Sequence, residues 1–72
     1  MVHRYNIEVD CANCARKMED TINDTDGVRN ATVNFMTQKL VIEFEDGIDP
    51  NLLMPELQRK CRRVERDCEI FF

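Results

Sequence analysis

Within 72 residues the hydrophobic period of this chain switches twice from two residues to about 3.6 and back, and that alternation leaves few folds open. Tyr5, Ile7 and Val9 alternate with Arg4, Asn6 and Glu8, which predicts a half-buried strand. Ala15, Met18 and Ile22 then recur at three- and four-residue spacing between Arg16, Lys17, Glu19 and Asp20, the pattern of an amphipathic helix. Asp26-Gly27 is expected to end it, glycine suiting a left-handed cap. Val28, Ala31, Val33 and Phe35 lead a second strand, Met36 to Lys39 reads as a hairpin connection, and Leu40, Ile42 and Phe44 form a third strand. Asp49 is a suitable N-cap and Pro50 a suitable first residue for a second helix, whose apolar face is Leu53, Leu57 and Cys61. Pro55 is expected to disturb its first turn. From Val64 onward, Cys68, Ile70 and Phe72 alternate as a last strand.

The order βαββαβ predicts an α+β domain of the ferredoxin-like kind: a four-stranded antiparallel sheet with both helices packed on one face. Residues 1–72 are expected to form one such domain. The topology brings the end of the first strand, the start of the first helix, the hairpin and the end of the second helix to one pole. Asp10 to Cys14, Met36 and Cys61 to Arg66 are therefore expected there. His3 is not, because seven extended residues separate it from Asp10 by some 20 Å. It reads as a surface or strand-edge residue.

The net charge of −4 argues against general nucleic-acid binding. Arg59, Lys60, Arg62, Arg63 and Arg66 do cluster near the C-terminus, where cations suit a helix end. The same cluster could also dock an acidic partner face. No apolar run approaches the roughly 18 residues of a membrane span, so no direct membrane insertion is expected, and no export signal is visible. Four cysteines without such a signal favour a reducing compartment, and a cytoplasmic location is expected.

The segment Asp10-Cys11-Ala12-Asn13-Cys14 sits between the first strand and the first helix. Two thiols three residues apart on a loop and a first helical turn can offer two sulfurs to one soft metal ion. A thioredoxin-like dithiol would normally bring an aromatic before the motif and Gly-Pro within it; Ala12-Asn13 supplies neither. Metal binding by Cys11 and Cys14 is thus preferred to thiol–disulfide redox chemistry, which stays as an alternative, with a pure interaction domain as a third reading. Asp10 suits either a metal ligand or a helix cap. Cys61 and Cys68 fall on apolar faces and read as core, with Cys61 an optional third sulfur because of its place at the metal pole. Met36 reads as hairpin packing. No His stands near the thiols to act as a base, and no phosphate-cradling loop is present, so an enzyme is not expected.

Strand, CxxC, helix, hairpin, helix and strand, with "GV…ATVNF…KL" after the motif, resemble the heavy-metal-associated domain over essentially the whole chain. That resemblance implies a metallochaperone or the metal-binding domain of a P-type ATPase. The partner it implies is a metal-transporting P-type ATPase or a sister metal-binding domain, on the cytosolic face of the membrane if the chain is part of an ATPase. The lean core and the expected exposed dithiol suggest a monomer that, at high concentration, a shared ion can bridge into a dimer through two CxxC pairs.

Two departures bear on the metal. The family's usual Gly-Met-Thr before the first cysteine is replaced by Glu8, Val9 and Asp10. An Asp at that place is similar to domains of zinc/cadmium/lead-exporting ATPases, and carboxylate oxygen is a zinc ligand whereas copper(I) prefers thiolates alone. Asp10, Cys11 and Cys14 are accordingly expected to hold zinc or cadmium, with copper(I) the alternative. Near the C-terminal pole the family's Gly-aromatic pair is absent. Arg66 falls close to the place of a lysine common in copper chaperones, which leans the other way.

Overall fold

A computed structural model describes residues 2–72. Its elements run β1 (Val2–Glu8), α1 (Ala12–Asn23), β2 (Val28–Asn34), β3 (Lys39–Phe44), α2 (Pro50–Val64) and β4 (Glu69–Phe71). The strands form one antiparallel sheet in the order β2-β3-β1-β4. This is the ferredoxin-like βαββαβ arrangement expected from the periodicities.

One face of the sheet carries the core. Ile7, Val28, Ala31, Leu40, Ile42, Phe44 and Ile70 pack against Ala15, Met18 and Ile22 of α1 and Met54, Leu57 and Cys61 of α2. The residues between them on β1, Arg4, Asn6 and Glu8, are exposed, as is Lys39 on β3. Hence both helices cover the same face. Leu57, Leu40, Ile42, Met18 and Ile22 are fully buried. Each such side chain contributes about 1.5–3 kcal/mol relative to exposure.

Helix side chains cover both edges of the sheet. On β2, Asn23 Oδ1 accepts from Ala31 N–H at 2.8 Å and Asn23 Nδ2 donates to Ala31 C=O at 3.0 Å. Glu19 Oε2 accepts from Val33 N–H at 2.9 Å. On β4, Gln58 does to Ile70 what Asn23 does to Ala31, with both bonds at 2.9 Å. Unpaired edge groups are thereby satisfied within the chain rather than offered to another strand.

Several boundaries differ from those read in the sequence. The first helix ends at Asn23 with Asp24 as C-cap, three residues before Gly27. Asn23, the last residue of α1, bonds through its carboxamide to β2, and Gly27 (φ 98°) turns the chain into that strand. The second helix runs unbroken through Pro55 and carries on to Val64, so β4 begins only at Glu69. Met54 rather than Leu53 is the fully buried residue of its first turns. His3 is half-buried, its ring edge-on to Phe44 at 5.5 Å and stacked on Tyr5 at 6.3 Å. It lies at the margin of the core where β4 does not reach β1, and at the opposite end of β1 from Asp10. Among the described residues no helix is long and apolar enough to cross a membrane.

Candidate metal centre

The loop between β1 and α1 is rooted by Val9, whose side chain is buried in the core. From Asp10 to Asn13 the chain is exposed, and Cys14 returns to lean on the core. Cys11 is the N-cap of α1, with φ −149° and ψ 160°. Its Sγ accepts from Cys14 N–H at 3.2 Å and its carbonyl accepts from Ala15 N–H at 3.0 Å. Cys11 and Cys14 are joined as a disulfide across a Cα–Cα distance of 5.2 Å, so reduction leaves two thiols side by side. Both therefore meet at one surface point over the N-terminus of α1. The free N–H groups of a helix's first turn favour negative charge there, which suits thiolates.

Asp10 stands one residue outside the cap. Because the helix starts at Ala12, the capping position falls on Cys11, and the Asp10 carboxylate takes no part in closing the helix end. Asp10 is exposed. Among the described residues, no three His, Cys, Asp or Glu side chains are gathered into a group that could hold a metal ion.

The other two cysteines lie inside. Cys61 is fully buried and Cys68 nearly so. Burial, and then the proximity of Cys68, pushes the Cys61 thiol up to about 12. Burial also raises Cys68, whose Sγ donates to Glu65 C=O at 3.1 Å. Cys61 could reach an ion only if the core opened.

The same pole carries the β2–β3 hairpin. Met36, expected to pack there, is 87% exposed. Asn34 Oδ1 accepts from the N–H groups of both Met36 and Thr37, turning that tip outward, while Phe35 is the residue that packs. Arg66 is exposed in the turn between α2 and β4, and Arg62 pairs with Glu69 at 2.7 Å on the strand that faces Glu8.

Gln38 is the residue that sequence reasoning passed over. Its carbonyl accepts from Ile7 N–H at 3.0 Å, its Oε1 from Val9 N–H at 2.8 Å, and its Nε2 donates to Phe35 C=O at 2.8 Å. Nothing in a polar hairpin residue foretells contacts to β1 and to the root of the loop that carries Cys11 and Cys14.

A CxxC cysteine pair at the N-terminus of a helix, on a ferredoxin-like frame, belongs to a class of small metal-binding modules rather than catalysts. Residues 4–65 match the model of the heavy-metal-associated domain, and the chain belongs to that family. It is 42% identical over 48 residues to the zinc/cadmium/lead-transporting P-type ATPase of Escherichia coli (strain K12), a match covering 62% of this chain and 7% of the ATPase. It is 37% identical over 43 residues to the probable copper-importing P-type ATPase A of Enterococcus hirae, covering 60% of this chain and 6% of that protein. The matches thus span only a small fraction of these relatives. Among solved structures, the CopZ metallochaperone superposes with a TM-score of 0.75 at 18% identity, covering 99% of this chain and all of that one. That likeness speaks for the fold.

Proposed function

We propose that Cys11 and Cys14 bind one zinc or cadmium ion as thiolates, that Asp10 completes the site, and that the domain hands the ion to a partner. The observation that carries this reading is the loop itself. Two sulfurs share one exposed point over the α1 N-terminus, and the adjoining carboxylate is not spent on capping. Binding displaces two thiol protons, so affinity rises with pH until both are lost. Exposure on one side allows exchange. A partner thiolate forms a bond to the ion as Cys11 or Cys14 releases one, and the ion is never stripped of ligands. The partner is the metal entry site of a P-type ATPase or a sister domain, in a cytoplasmic setting that keeps the pair reduced. At high protein concentration two copies would share one ion through four thiolates.

Copper(I) is the second reading. Two thiolates alone satisfy that ion, and relatives named for copper stand beside those named for zinc and cadmium. Family membership gives the thiol–disulfide redox alternative no comparable support.

Competitive titration of the fully reduced protein with zinc, cadmium and copper(I), beside Asp10→Ala, separates the two metal readings. A carboxylate ligand predicts that Asp10→Ala weakens zinc and cadmium by about tenfold or more, equivalent to about 1.4 kcal/mol, and leaves copper(I) unchanged. Unchanged zinc and cadmium affinity, with copper(I) bound most tightly, would establish the copper reading instead.

A further inference from the structure

Gln38 makes more tertiary hydrogen bonds at the metal pole than its place in a hairpin requires. It lies between the hairpin tip and β3 with φ 55°, a left-handed conformation uncommon for a residue other than glycine. Its carbonyl holds Ile7 N–H and its side chain folds back toward the end of β1. There the carboxamide is used at both ends, accepting from Val9 N–H and donating to Phe35 C=O. The last register pair between β1 and β3 is Asn6 with Lys39. Gln38 therefore carries the ladder past the end of the strand to the residue on which the metal loop is rooted.

Val9 is consequently held from two sides, its side chain by the core and its N–H by Gln38. Cys14 is fixed separately, by its place in α1 and its packing on the core. Cys11 is exposed and stands two residues beyond Val9. Cys11 is itself tied to α1, its carbonyl accepting from Ala15 N–H and its Sγ from Cys14 N–H, so the hold on Val9 is what anchors this turn on its sheet side.

We propose that Gln38 is a positioning residue for the metal loop: by holding Val9 N–H it anchors the sheet side of the turn that carries Cys11 and Cys14 and ties the β2–β3 hairpin to ion binding. The proposal rests on the assignment of Cys11 and Cys14 as metal ligands. Groups that orient metal ligands without touching the ion typically change affinity by about 10–100-fold when removed. Gln38 acts through the backbone, so the lower end of that range is expected.

The test compares Gln38→Met, Gln38→Glu and Asn34→Ala in the reduced protein, by cadmium affinity against a competing chelator and by exchange of the Val9 amide. Gln38→Met keeps the length of the side chain and loses both bonds. It is expected to speed Val9 exchange and weaken cadmium about tenfold. Gln38→Glu keeps an acceptor for Val9 N–H, so a slow Val9 amide and near-native affinity are expected. Asn34→Ala removes the bonds to Met36 and Thr37 at the hairpin tip without touching Val9, and is expected to stay within about twofold of the parent. Native affinity in Gln38→Met overturns the proposal, and so does an equal loss in Asn34→Ala, which would mean that hairpin integrity alone matters. If Gln38→Met does not fold, Gln38→Glu decides: a slow Val9 amide together with weakened binding overturns it. Cadmium binding retained by the Cys11→Ser, Cys14→Ser double variant would instead remove the ligand assignment beneath it.

Discussion

Replacing Gln58 with Met is expected to destabilise the metal-free protein by about 2 kcal/mol, although the residue touches neither thiol of the loop. Met preserves length and apolar stem and removes only the carboxamide. Both ends of that carboxamide bond the backbone of Ile70 at 2.9 Å, and Ile70 is 2% exposed. The strand at stake is short: β4 has three residues, paired to β1 at Asn6, Ile7 and Glu8. A buried backbone group left without a partner costs about 1–3 kcal/mol. Because β4 is an edge strand and Gln58 is half-buried, water can reach part of the gap, so about 1 kcal/mol for each of the two groups is the appropriate estimate. In a domain of this size that corresponds to a Tm lower by roughly 8–16 °C. Urea unfolding of the reduced protein measures it as a lower midpoint with an unchanged slope, and exchange at the Ile70 amide localises it. A midpoint shift worth less than about 0.5 kcal/mol, the range of ordinary surface substitutions, with the Ile70 amide still protected, would refute the reasoning. The edge bonds would then hold geometry without contributing stability.

Three further outcomes follow from the same contacts. A Cβ at Gly27 would lie 3.2 Å from Ile48 Cδ1 and 3.3 Å from Leu53 Cδ2 at φ 98°, whereas at Gly47 (φ 84°) nothing lies within 4 Å. Gly47→Ala is expected to cost about 1–2 kcal/mol for the left-handed backbone, and Gly27→Ala measurably more, by urea unfolding. The Cys61 thiol is raised from 9.0 to about 12, so the unfolded chain loses that proton first. Its contribution to stability is complete below pH 9 and falls as pH rises toward 12. Stability measured at pH 8 and at pH 10.5 should drop less in Cys61→Ala than in the parent. Finally, an alkylating reagent applied to the reduced folded protein should modify Cys11 and Cys14 rapidly and reach Cys61 and Cys68 only on unfolding, as mass mapping of the labelled peptides would show.

The fold was legible in the sequence because each element carries its own period and each period survives in the packing. Ile7, Ala15, Met18, Ile22, Leu40, Ile42, Phe44, Leu57 and Ile70 are buried where their spacing put them. The boundaries were less legible, since they depend on long-range bonds. The end of α1 is tied to β2 through the Asn23 carboxamide, and no local turn signal records that. Pro55 was expected to disturb α2, but the helix continues through it and buries Met54 beside it. At the candidate site, the proximity of Cys11 and Cys14 could be read from spacing alone, because two residues three apart at a helix start lie side by side. The contribution of Gln38 could not, for it depends on a positive φ and on register between strands nearly thirty residues apart. Asp10 shows the limit of local rules: a good capping residue is passed over because the helix begins one residue later than it would need.

The most direct test of the central claim is a cadmium titration, followed by sulfur-to-cadmium charge-transfer absorption, of three reduced proteins: the parent, Cys11→Ser with Cys14→Ser, and Cys61→Ser with Cys68→Ser. The account expects one ion per chain in the parent and in any folded Cys61/Cys68 variant, and loss of tight binding in the Cys11/Cys14 variant. Stoichiometric, tight binding that survives the loss of Cys11 and Cys14 would contradict it.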